Sequence, residues 1–111
     1  MRILAIEREL PLPAYRNLRE LSREEATAVW NLQKRGVIRE IWCTQADHRA
    51  VVMLECGDVA EARQYLAALP LVRADLIDFT LIELCTYDGM ESLFAGNLPA
   101  VAAVREEPPE Y

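Results

Sequence analysis

Glu25 is the residue whose position invites chemistry. Wound at about 100° per residue, the stretch from Leu18 to Gly36 gathers Leu18, Leu21, Ala28, Val29, Leu32 and Gly36 on one face with Glu25 near its middle. Glu24, Thr27, Asn31, Lys34 and Arg35 take the other side. A carboxylate among apolar neighbours is disfavoured by desolvation unless something pairs with it. Two readings follow. If the helix opens at Ser22, then Ser22-Arg23-Glu24-Glu25 is a capping box, and Glu25 accepts a hydrogen bond from the Ser22 backbone N–H. If the helix opens earlier, Glu25 is interior, and burial lifts its carboxyl toward the range of a useful general base.

Four further residues are candidates for binding. Arg39 suits a substrate carboxylate, which a guanidinium grips with two parallel bonds, or a cross-sheet partner in Glu55 or Glu83. Trp42 and Trp30 suit packing or recognition, and Trp30 lies on the flank of its helix, as a pocket wall or partner surface would. His48, the single histidine, sits in a polar loop and serves either as a solvated side chain or as a pocket residue. Cys43, Cys56 and Cys85 are widely spaced in apolar runs, which points to buried inert thiols rather than disulfides or a metal site. No nucleophile elbow, glycine-rich phosphate loop or metal-ligand spacing is present, so neither metal nor cofactor is expected.

The elements that must position these residues read cleanly in places. Leu32 to Trp42 passes from helical to strand periodicity at Gly36, which suits the left-handed position beyond a helix end. Arg2 to Glu7 alternates as a first strand, and Leu10-Pro11-Leu12-Pro13 breaks it. Val37 to Cys43 is a second strand, with Ile38, Glu40 and Trp42 on one side and Val37, Arg39, Ile41 and Cys43 on the other. After the polar connection Thr44 to His48, Arg49 to Cys56 makes a third strand, apolar on both sides at its centre. Asp58 with Glu61 opens a second helix, which Pro70 stops. Leu76 to Cys85 is the fourth strand. Residues 1–86 therefore form one domain and 87–111 a C-terminal tail or arm, apolar enough around Tyr87 to Phe94 to dock and fraying from Arg105 onward.

Strand, helix, strand, strand, helix, strand is the ferredoxin-like α+β order, βαββαβ, an antiparallel four-stranded sheet with two helices on one face. The uncovered face keeps large apolar side chains, which a two-fold dimer packed sheet to sheet into an α/β barrel would bury. A tail folded back over the sheet of a monomer is the competing geometry.

Composition sets the remaining bounds. The 111 residues carry a formal net charge of -6 with acids and bases interspersed, which argues against nucleic acid. No apolar run approaches the roughly 20 residues that span a bilayer, and the N-terminus does not read as a signal peptide, so no membrane partner and a cytoplasmic location are expected.

Leu32-Gln33-x-x-Gly36-x-x-Arg39-x-x-Trp42, then Asp58-Val59-x-Glu61-Ala62, then Leu69-Pro70-Leu71, resembles the muconolactone delta-isomerase family over roughly Arg2 to Leu84. The resemblance implies a small cofactor-free homo-oligomer on a dimeric α+β barrel, with a pocket between sheet and helices. It implies an isomerase that shifts a C=C bond in an unsaturated lactone or related small carboxylate. The family's acidic position in the first helix falls on Glu25. Its neighbouring lysine position holds Ala26 here, and the basic or histidine position of the second strand holds Glu40. A non-catalytic dimeric module that binds a ligand or regulates a partner enzyme is the alternative.

Overall fold

The computed structural model describes residues 1–11 and 17–94. Strand β1 (Arg2–Glu9) is followed by α1 (Leu18–Lys34), β2 (Ile38–Cys43), β3 (Ala50–Glu55), α2 (Val59–Ala67), a one-turn α3 (Pro70–Arg73) and β4 (Ile77–Leu84). The sheet is antiparallel in the order β2-β3-β1-β4, which is the ferredoxin-like α+β arrangement. Among the described residues no helix is long and apolar enough to cross a membrane.

Alternation divides the sheet. Ile3 and Ala5 of β1, Val52 and Leu54 of β3, and Ile77 and Phe79 of β4 face the helices and are buried with Leu21, Leu32, Ala62, Leu66 and Leu69. Each fully buried Leu, Ile or Phe in such a core contributes roughly 1.5–3 kcal/mol. The opposite face carries Leu4, Ile6, Val51 and Met53, half-buried, and Ile82 and Leu84, 42% and 37% exposed, so it is apolar as the sequence implied.

Helix α1 begins at Leu18 with Asn17 as its cap, so Ser22 is interior and the capping-box reading of Glu25 fails. The same early start leaves Leu18 at the helix mouth, 52% exposed, outside the stripe it was expected to join. At the other end Gly36 has φ 78°, and the Gly36 and Val37 amides donate to the Gln33 and Leu32 carbonyls at 3.1 and 3.0 Å. That pair of bonds is a Schellman closure, and it needs the left-handed residue a glycine supplies without steric cost.

Three other expectations are corrected. Strand β2 does not alternate strictly: its register slips between Ile38 and Glu40, so Ile38 and Ile41 both turn to the core while Glu40 and Trp42 pair with Met53 and Val51 on the open face. A bulge adds one residue to a strand and inverts the pattern beyond it. Pro70 does not simply end α2; with Leu69 extended, it opens α3, a position where its missing N–H costs nothing. Only Cys56 is buried, whereas Cys43 and Cys85 sit at strand ends and are exposed.

Candidate active site

A cavity of about 160 Å³ lies between the sheet and the helices. Its buried floor is Ile38, Val52, Leu66, Leu69, Ile77 and Phe79, and its half-buried rim is Glu7, Glu25, Val29, Ile41, Ala50 and Leu71. A hydrocarbon-lined space of roughly this size accommodates a ligand on the scale of one six-membered ring. Among the described residues the titratable groups of the lining are the two carboxylates.

Glu25 reaches the rim because α1 starts a turn before Ser22 and runs its apolar stripe over the sheet. One oxygen is engaged: the Leu71 amide, in the first turn of α3, donates to Glu25 Oε1 at 3.0 Å. The carboxyl is held above the ordinary carboxylate value, chiefly because burial penalises its charged form. The Leu71 bond works against that rise and the charge of Glu7 adds to it. A carboxylate so placed is more basic than a solvated glutamate and opens onto an apolar chamber.

Glu7 was not singled out by the sequence reading, although the signal was there. In β1 the positions Ile3, Ala5 and Glu7 share the helix-facing side, so alternation alone aims Glu7 inward. Its Oε1 accepts the Ala50 amide at 3.0 Å, which extends the β1–β3 pairing by one side-chain bond.

The other expected site residues do not join Glu25 in the cavity. Arg39 is exposed at the β2 bulge. Neither anticipated partner holds it: β2 and β4 are opposite edges of the sheet, which removes Glu83, and Glu55 bonds to the Met1 amine at 2.7 Å and lies 3.7 Å from Arg2 Nε. The Met1 amine and then Arg2 hold the Glu55 carboxyl below its ordinary value, and Arg39 contributes the smallest pull. Trp42 is 67% exposed on the open face, its indole N–H donating to Glu40 Oε1 at 3.3 Å. Trp30 is 57% exposed on α1, with Lys34 Nζ 6.0 Å from its ring centre. His48 is exposed at φ 54° in the β2–β3 connection.

Comparison with known proteins places the fold. The chain is similar to the crystal structure of muconolactone isomerase, with 20% identity and a TM-score of 0.68 over 78% of this chain and 91% of that one. It is also similar to 5-chloro-2-hydroxyhydroquinone dehydrochlorinase (TftG) from Burkholderia phenoliruptrix AC1100 in complex with 2,5-dihydroxybenzoquinone, with 13% identity and a TM-score of 0.58 over 79% and 97%. No family model and no curated protein matches the sequence. At these identities the likeness is one of fold.

Proposed function

We propose that the chain is a small-molecule enzyme of muconolactone-isomerase type, transferring a proton without a cofactor at the carbon α to a carbonyl of an unsaturated lactone or related acid. Glu25 carries the proposal: a carboxylate made more basic by burial, at the rim of an apolar chamber of about 160 Å³. Its ionised form takes the α-proton, and the electron pair of the broken C–H bond spreads into the carbonyl as an enolate. The double bond shifts, and the carboxylic acid just formed returns the proton at the far end of the conjugated system. Atoms and charge balance over the cycle, and a positioned general base contributes about 10²–10⁴ in rate. The two structurally similar enzymes support the reading in that their names specify muconolactone and a hydroxyhydroquinone, both small oxygenated rings. Arg39, Trp42, Trp30 and His48 stand outside the cavity, so in this reading Glu25 alone acts on the reacting atoms. The test is Glu25→Gln against a panel of unsaturated lactones: loss of turnover with ligand binding intact supports it, and unchanged turnover ends it.

The open face of the sheet supports a homodimer packed sheet to sheet. Leu4, Ile6, Val51, Met53, Ile82 and Leu84 line that face with Trp42 at its edge, an apolar surface that a second copy related by a two-fold axis would cover. Sedimentation at micromolar concentration decides it, since a strictly monomeric particle removes the barrel.

One observation favours the second reading, a ligand-binding module without catalysis. The Leu71 bond ties α1 to α3 through Glu25 and gives the carboxylate a structural use. Saturable binding across the lactone panel with no wild-type turnover would select it.

A further inference from the structure

The charge of the cavity narrows what it takes. Among the described residues its lining is apolar except for Glu7, which arrives from the sheet, and Glu25, which arrives from α1 on the other side. Each has one oxygen held by a backbone amide, from Ala50 and from Leu71, and keeps a second oxygen beyond that bond. Among the described residues the neighbouring cations of β1 and α3 are turned elsewhere: Arg8, next along β1, reaches Asp78 at 2.9 Å on the open face, and Arg73 of α3 is exposed beside Leu21, Glu24 and Pro70. Arg39 is exposed at the sheet edge.

We propose that Glu7 is the second carboxylate of this site, and that the pair makes the cavity select an uncharged oxygen-bearing ring over the same ring carrying a carboxylate. The inference rests on the reading of the cavity as a small-molecule site and narrows the proposed substrate from a lactone or related acid to the uncharged ring. An uncharged ring places its carbons against Val52, Leu66 and Phe79 and turns a hydroxyl, or the acidic C–H beside its carbonyl, to the rim, where the hydroxyl donates to either acid. A carboxylate in the same pose brings a third negative group into a space with little water to screen it. One like charge about 10 Å away, at an effective dielectric of about 20, weakens binding roughly tenfold, so the two carboxylates together weaken it on the order of a hundredfold.

The experiment is titration calorimetry on the full chain at pH 7 with two probes, butenolide-acetic acid and its methyl ester. The ester should bind on the order of a hundredfold more tightly than the acid, and Glu7→Gln, which keeps an acceptor for the Ala50 amide, should cut that ratio to about tenfold or less. Glu25→Gln, which keeps an acceptor for the Leu71 amide, must narrow the ratio as well and serves if Glu7→Gln fails to fold. Equal affinity of acid and ester for the wild type, or a ratio that neither substitution moves, overturns the selectivity while leaving the cavity a ligand site. Binding of neither probe overturns the cavity as a ligand site, and the proposed function falls with it.

Discussion

Replacing Glu25 by glutamine and by alanine should separate its hydrogen bond to Leu71 from its charge. Glutamine keeps an oxygen for the Leu71 amide, now 3.0 Å from Glu25 Oε1, whereas alanine leaves that part-buried N–H without an acceptor. An unsatisfied buried donor costs about 1–3 kcal/mol, so Glu25→Ala should be less stable than Glu25→Gln by at least that order. For a domain of this size each kcal/mol moves Tm by roughly 4–8 °C, which places the two variants about 4 °C or more apart in a calorimetric scan at pH 7. Titration then distinguishes the wild type from Glu25→Gln. Because the folded carboxyl lies above its unfolded value of 4.5, the folded state binds more protons than the unfolded state between the two values. The stability this group contributes is present below the unfolded value and is lost as pH rises through the folded one. The wild type should therefore gain on Glu25→Gln as pH falls from 7 toward 4.5. Equal melting of the alanine and glutamine variants, or a wild-type to glutamine difference that ignores pH, would refute the placement of this carboxylate.

Three further outcomes follow from the geometry. Ala50→Leu, at the rim of the cavity, should abolish ligand binding while the urea midpoint moves little, since the added methylenes enter existing space. Met53→Glu puts a charge at the centre of the open sheet face and should halve the sedimenting mass of the proposed dimer, with the circular dichroism spectrum of the monomer unchanged. Gly36→Ala should cost about 1–2 kcal/mol in equilibrium unfolding, because an alanine must adopt the left-handed backbone there; the nearest atom to its added Cβ, Arg39 Nη1 at 3.5 Å, gives no steric reason for more.

The fold was legible because its signals are local and mutually consistent. Gly36 closes α1, Asp58 caps α2 by accepting the Glu61 amide at 2.8 Å, and the apolar runs fall into the β1 to β4 order the motif requires. What escaped was whatever depends on one residue of phase or on a partner brought from afar. The bulge at Arg39 inverts the rest of β2, so Ile41 turned to the core and Arg39 lost both expected partners. The early start of α1 decided between cap and interior for Glu25, and the residues just before Asn17 gave no helix signal strong enough to settle it. Glu25 was found because an acid in an apolar stripe is conspicuous. Glu7 was missed because, at the end of a run that alternates only approximately, an acid reads as the edge of a strand. Its inward aim becomes visible once Ala50 and Phe79 stand opposite it.

The most direct measurement is proton exchange at the carbon the mechanism names. An unsaturated lactone incubated with the protein in deuterium oxide should acquire deuterium at the position α to its carbonyl, followed by proton magnetic resonance. The Glu25→Gln protein, folded and still binding the lactone, should exchange about 10²–10⁴ times more slowly. Exchange at the wild-type rate in that variant, or none in the wild type with lactone bound, would contradict the assignment of Glu25 as the base.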